Sequence, residues 1–172
     1  METQEKKLTR GGAFLLQDTD AENVFTPEDF SEEQRMMRDA VQEFVDREVW
    51  PNKHRFENKD YDFTFELMRK AGELGFLSVA VPEAYGGMEM GFVSTMLVCD
   101  YFSGASGSLS TAYGAHTGIG IMPIVMYGSE AQKKQYVPKL ASGSYKPPFF
   151  LHSEHSKRDA DTMYGLLVAN LP

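Results

Sequence analysis

The sequence has few of the features that mark several large classes of protein. Its one cysteine, Cys99, excludes an internal disulfide framework and suits a reducing compartment, so we expect a cytoplasmic protein. The 17 Lys and Arg residues are outnumbered by 25 Asp and Glu residues, and the formal net charge of -8 argues against a nucleic-acid partner held by phosphate contacts. No segment approaches the roughly 20 apolar residues that span a bilayer, and residues 13–16 are too short an apolar run for a signal peptide. We therefore expect neither export nor a transmembrane segment.

The 172 residues, 42% of them hydrophobic, suffice for one domain with a core. Ser31 and Gln34 have the spacing of a capping box, which predicts a helix from Glu32. Helical spacing also predicts a buried stripe, formed by Met37, Val41, Phe44 and Val45. Pro51 disfavours helical geometry at the residue before it, so we expect this helix to end or kink near Trp50.

A second helix is predicted at residues 65–74, after a loop at residues 60–63. Its inward-facing residues are expected to be Met68, Ala71 and Leu74. Gly75 then predicts a left-handed C-cap.

Residues 76–91 contain Pro82, Gly86 and Gly87, which favour a turn over a helix. A third helix is expected at about residues 93–102. Its nearly all-apolar pattern predicts a buried central element, with Met96, Leu97 and Val98. The Gly- and Ser-rich residues 103–108 are expected to break it.

The stretch from residue 109 to 143 is the most informative part of the chain. Its small residues let a neighbouring backbone or a long thin ligand approach closely; they are Gly114, Ala115, Gly118 and Gly120. Ser129 and Gln132 form a second capping-box signal after the turn at Gly128. The helix that follows is expected to bury one face, with Tyr136, Val137 and Leu140. Pro138 predicts a kink or an end in it.

This stretch also carries a resemblance to a known family. The strings AYGAHTGIG and YGSEAQKKQYVPKLASG, with KAGELGFL and VPEAYGG upstream, resemble the N-terminal helical domain of acyl-CoA dehydrogenases, especially the long- and very-long-chain branch. The resemblance implies a mostly α fold, with a bundle of about five or six helices at residues 32–140. Around the helical domain at residues 31–143, we expect an irregular arm at 1–30 and a poorly determined tail at 144–172.

The resemblance also implies a function. Such enzymes use FAD to oxidise the α,β bond of an acyl-CoA thioester in fatty-acid β-oxidation, and this domain supplies part of the acyl-chain wall. The positions that inherit this substrate-binding role are Gly114, Ala115, Gly118 and Ile119. The complete enzyme would bind FAD, long-chain acyl-CoA and an electron-transfer flavoprotein, and would be a candidate homo-oligomer.

The tail departs from the family pattern. Phe149 and Leu151 keep the spacing of the flavin-contacting strand, which makes them candidate cofactor-binding residues, but HSEHSKR replaces T-E-P-G-A-G-S after them. The proton-abstracting Glu of the family belongs to a C-terminal domain with no counterpart in this sequence, so no catalytic residue is assigned. We interpret the chain as truncated, or changed in reading frame, after about residue 151. We expect it to be inactive alone.

Other interpretations remain open. The chain could instead be a non-catalytic helical module that binds an acyl chain or another subunit, or a fragment that does not fold alone. The small residues could reflect close helix packing alone, and His116 is expected to be a hydrogen-bonded structural residue. His152 and His155 are too loosely spaced to predict a metal site.

Overall fold

The structure is a computed structural model that describes residues 8–9 and 11–144. The chain divides into two compact units, Met1–Met36 and Met37–Pro172. In the first unit, the described part of the predicted arm contains short 3-10 turns at Gly11–Leu15, Ala21–Asn23 and Pro27–Asp29. A reciprocal cap closes the last of them, since the Thr26 N–H donates to the Asp29 carboxylate at 2.8 Å.

Helix α1 spans Glu32–Phe44 and begins at the predicted residue. The Ser31 capping box is confirmed, because the Ser31 N–H donates to Gln34 Oε1 at 3.0 Å and the Gln34 N–H donates to Ser31 Oγ at 3.2 Å. All four residues of the predicted apolar stripe are buried: Met37, Val41, Phe44 and Val45.

Regular α winding stops at Phe44, but the helical path does not end at Trp50. It continues through a π turn at Val45–Val49 and a 3-10 turn at Trp50–Asn52 into helix α2, Lys53–Glu57. Pro51 lies in the first turn of the 3-10 segment, where its missing N–H is not needed. The change of winding therefore accommodates the proline without breaking the helix.

Helix α3 spans Tyr61–Glu73, so the loop predicted at residues 60–63 is wrong. Asp60 caps this helix by accepting the Phe63 N–H at 3.0 Å, and this hydrogen bond, with one from Arg55, lowers the pKa of its carboxyl group. Leu74 was expected to face inward, but it is 54% exposed because it follows the last helical residue as the C-cap. Gly75 has the predicted left-handed conformation, with φ of 84°.

Residues 76–90 form a loop that folds back on itself, as the prediction of a turn required. It contains 3-10 turns at Phe76–Ser78 and Glu83–Tyr85. Its two arms are joined by backbone hydrogen bonds, including Met88 N–H to the Ser78 carbonyl at 3.1 Å and Glu89 N–H to the Val81 carbonyl at 3.0 Å. These bonds satisfy its polar groups, so the loop can bury the apolar side chains of Phe76, Leu77, Val79 and Val81.

Helix α4 spans Gly91–Ala105, and helix α5, Gly107–Gly114, follows after one residue. The predicted break is confirmed at Ser106, whose side chain accepts the Leu109 N–H at 3.3 Å. The predicted buried central element is only partly correct: Leu97 and Val98 are buried, but Met96 is 42% exposed. A uniformly apolar pattern does not reveal which side of a helix lacks a neighbour.

Helix α5 continues through a π turn at Ala115–Ile121 into helix α6, Met122–Tyr127. Helix α7 spans Glu130–Ala141 and begins with the predicted capping box, in which the Ser129 N–H donates to Gln132 Oε1 at 2.8 Å. Pro138 lies inside α7, which continues to Ala141, so the helix does not end at this proline. Proline has no N–H, so Pro138 cannot donate a hydrogen bond to the Lys134 carbonyl. Both residues are exposed, so water can satisfy that carbonyl.

The described residues contain five continuous helical stretches, at residues 32–57, 61–73, 91–105, 107–127 and 130–141, and no strand. The mostly α fold of five or six helices is thus confirmed. Four rings form the centre of its core: Phe44, Phe76, Phe102 and Tyr113, with neighbouring centroids 5.1–6.2 Å apart. No helix in the described part of the chain has the length and apolarity needed to cross a membrane.

Candidate functional site

A cavity of about 250 Å³ lies between α4, the stretch at residues 107–127 and the loop at residues 76–90. The loop contributes Leu77, Val79, Ala80 and Val81. Helix α4 contributes Gly91, Phe92, Thr95, Met96 and Cys99. The third wall consists of Tyr113, Gly114, Thr117, Gly118, Ile121 and Met122. Typical small-molecule pockets have volumes of about 300–1,000 Å³, so this cavity is slightly smaller than that range. Its size therefore suits part of a larger ligand.

The chemistry of the lining suits a hydrocarbon. No lining residue carries a charge at neutral pH, and the hydroxyl groups are used by the protein itself. Thr95 donates to the Gly91 carbonyl at 3.2 Å, and Thr117 donates to the Tyr113 carbonyl at 2.8 Å. Tyr113 donates to the Phe76 carbonyl at 3.2 Å. A polar ligand group in the cavity would therefore find few hydrogen-bond partners that the protein does not already use. Methylene groups make no hydrogen bonds, so they could be buried there without that cost.

The structure separates the four positions that the sequence proposes for substrate binding. Gly114 and Gly118 line the cavity, and a Cβ built on either would meet no heavy atom within 4 Å. Gly114 is half-buried and Gly118 is exposed, so the open space beside Gly118 is reached by solvent as well as by the cavity. Ala115 and Ile119 are not among the lining residues, and Ile119 is 53% exposed.

His116 is a buried structural residue, as expected. Its Nε2 lies 2.8 Å from the Leu140 carbonyl, which can only accept, so this nitrogen carries the proton. Nδ1 has no hydrogen-bond partner within the described residues. Burial lowers the pKa of the imidazole and outweighs the hydrogen bond to Leu140, which acts in the opposite direction.

Sequence reasoning missed two of the three walls. On α4, the small residues Gly91, Thr95 and Cys99 recur every four positions, the spacing that places residues on one helix face. That signal was available but is common at ordinary helix contacts. The contribution of the loop had no local signal, because its apolar residues read equally well as core.

The family of the chain follows from its sequence similarity. The sequence-family model for the acyl-CoA dehydrogenase N-terminal domain matches residues 31–144, well over half of the chain. The chain belongs to the acyl-CoA dehydrogenase family.

Individual acyl-CoA dehydrogenases support this assignment. A probable acyl-CoA dehydrogenase of Bacillus subtilis is 42% identical over 151 residues, which are 88% of this chain and 25% of the relative. The structure of an acyl-CoA dehydrogenase from Bacillus anthracis in complex with FAD matches with a TM-score of 0.73 and 42% identity, over 81% of this chain and 24% of the other. A structure of the electron transferring flavoprotein of Acidaminococcus fermentans matches with a TM-score of 0.65 and 29% identity, over 70% and 32%. The chain thus spans about a quarter of the length of the first two relatives.

Acyl-CoA dehydrogenases bind FAD, as the Bacillus anthracis structure illustrates, but the described cavity does not fit that cofactor. The diphosphate of FAD requires cationic groups or free backbone N–H groups, and the cavity lining offers no charged side chain. The flavin-contacting candidates, Phe149 and Leu151, lie outside the described residues, as do His152 and His155. Within the described residues, no group of three or more His, Cys, Asp or Glu side chains could hold a metal ion.

Proposed function

We propose that this chain provides the N-terminal helical domain of an FAD-dependent dehydrogenase of long-chain acyl-CoA thioesters, acting in fatty-acid β-oxidation. In this proposal, the helical domain at residues 31–143 contributes the wall that holds the distal part of the acyl chain. The observation that carries it is the apolar cavity with open space at Gly114 and Gly118, in a domain of this family. Ala115 and Ile119 follow these glycines along the same π turn, and we assign them to the edge of the same wall.

The cavity by itself cannot carry out the reaction. Removal of the α-proton needs a base within hydrogen-bond reach, and the only titratable groups in the lining are Cys99 and Tyr113. Burial raises the pKa of Tyr113, and its hydroxyl already donates to a backbone carbonyl. We therefore propose that catalysis requires further protein, with an electron-transfer flavoprotein as acceptor and a homo-oligomeric, cytoplasmic enzyme as its setting.

The acyl-chain role can be tested in a complete enzyme by placing residues 1–145 in a homologue. Gly118 lines the cavity and a Cβ there meets no heavy atom within 4 Å, so Gly118→Leu adds a side chain to this wall. Each buried methylene contributes about 0.8 kcal/mol, so excluding about three should lower the specificity constant for palmitoyl-CoA by roughly 50-fold, with little change for short acyl-CoAs. Ala115→Glu, which places a carboxylate beside the same wall, should shift preference in the same direction. The measurement is kcat/KM across acyl-CoAs of increasing length.

Gly104→Leu is the matched control, because Gly104 also faces open space but does not line the cavity. An unchanged length preference in Gly118→Leu would show that the cavity holds no acyl chain. A change in Gly118→Leu but not in Ala115→Glu would restrict the wall to the two glycines. A graft that binds long acyl-CoA but never turns it over would favour the alternative, a non-catalytic acyl-binding module.

We expect the purified chain to be strongly helical, colourless and inactive. The reasons are the absence of a base in the cavity and of anything in its lining that could hold a flavin nucleotide. Circular dichroism, the visible absorbance spectrum and reduction of an artificial electron acceptor with palmitoyl-CoA provide the measurements. Stoichiometric flavin absorbance, or turnover above a buffer control, would contradict this prediction.

A further inference from the structure

One wall of the cavity differs from the others in its side chains. Phe92 and Met96 of α4 line the cavity and are also 73% and 42% exposed, so they stand at its mouth. In the loop wall, Leu77, Val79 and Val81 are almost inaccessible and Ala80 is half-buried. The mouth is therefore bordered by exposed side chains of α4, and most of the loop wall is buried.

Met96 has the chemistry of an adjustable side chain. Methionine is unbranched, with three rotatable bonds and a polarisable sulfur, so it can follow the outline of an apolar ligand. Its neighbours Leu97 and Val98 are buried and anchor the backbone of α4.

The residues facing the same space give Met96 room to act. Gly114 and Gly118 contribute no side chain to the third wall, so at these two positions no side chain narrows the cavity. On α4, the deeper positions Thr95 and Cys99 are short. Phe92 and Met96 are the two large α4 side chains at the mouth, and the flexible thioether of Met96 changes the remaining width with its rotamer.

We infer that Met96 is a specificity-determining residue that selects unbranched over branched acyl chains by closing the mouth of the cavity over the ligand. The inference rests on the proposed function, since it takes the ligand to be an acyl chain. An unbranched chain is thin enough for the thioether side chain to fold against it. A methyl branch would hold the side chain away and leave apolar surface in water.

The test uses the chain of 172 residues and the fluorescent fatty acid cis-parinarate as probe. Palmitate and its tetramethyl-branched analogue phytanate compete for the probe, and the ratio of their affinities is measured. We expect the chain to prefer palmitate by about tenfold and Met96→Ala to reduce that ratio at least threefold. Met96→Trp should weaken both competitors by blocking the mouth. Met126→Ala, at a 59% exposed position outside the cavity, should leave the ratio unchanged.

Gly118→Leu distinguishes failure of the inference from failure of the proposed function. If Met96→Ala keeps the ratio while Gly118→Leu weakens probe binding, an acyl chain occupies the cavity but Met96 does not select it, and the inference is overturned. If the unsubstituted chain does not bind the probe, or Gly118→Leu has no effect, the cavity is not an acyl site and both fail. Circular dichroism of each variant checks that the helices are intact.

Discussion

Replacing Gly87 with Ala is expected to lower the free energy of unfolding by about 3 kcal/mol or more, a large part of the about 5–15 kcal/mol that stabilises a typical domain. A Cβ at Gly87 would lie 1.9 Å from the Val81 carbonyl oxygen and 2.3 Å from its carbon. That carbonyl cannot move aside freely, because it accepts the Glu89 N–H at 3.0 Å. Urea denaturation followed by circular dichroism measures the loss.

Gly104→Ala is the control for this experiment. Gly104 lies within α4, and a Cβ there meets nothing within 4 Å, so Ala should stabilise the chain by about 0.5–1 kcal/mol through its higher helix propensity. The two glycine substitutions should therefore have opposite signs. Equal effects at both sites would mean that the loop at residues 76–90 relaxes around an added methyl group, and that its tight turn is not required.

Stability is expected to fall as the pH is lowered below about 6.5, because His116 is buried as the neutral imidazole. Its pKa in the folded chain is below the ordinary value, so the unfolded chain binds the proton more readily. Stability is complete above the unfolded-state pKa and is lost as the pH decreases toward the folded-state pKa. The slope from this one group cannot exceed about 1.4 kcal/mol per pH unit. Denaturation midpoints between pH 7.5 and pH 5 provide the measurement.

His116→Gln separates this group from others that titrate in the same range. The Gln amide can donate to the Leu140 carbonyl, which His116 Nε2 reaches at 2.8 Å, but it does not titrate. The variant should therefore lose the pH dependence while keeping the fold. His54→Gln, at an exposed histidine, should retain it. A pH profile that survives in His116→Gln would assign the effect to another group.

Local chemistry made several elements predictable. The caps at Ser31 and Ser129 depend on residues three positions apart, and the stripe on α1 depends on helical spacing alone, so both can be read without knowledge of the tertiary structure. The errors have a different origin. Leu74 and Met96 are apolar and occur in helical patterns, but the neighbours that decide their burial come from distant parts of the chain.

The candidate site was predictable only in part for the same reason. Gly114 and Gly118 stand out because small residues in an apolar run indicate space, and the structure places both on the cavity. The loop wall and the α4 wall come from residues 77–99, and only folding brings them next to the glycines. Phe149 and Leu151 lie outside the described residues, so their flavin role stays a prediction.

Val81 contributes both to the cavity lining and to a separate buried hydrophobic cluster. It lines the cavity and also packs in a buried cluster with Ile121 of the third wall, Ile124 of α6, and Val137, Leu140 and Ala141 of α7. The same loop is tied to α7 by the Tyr85 hydroxyl, which donates to the Glu130 carboxylate at 2.9 Å. A substitution at Val81 that changes the cavity must therefore also change the packing of this buried cluster. The shape of the cavity is therefore most easily changed at Phe92 and Met96 of α4, whose side chains are exposed.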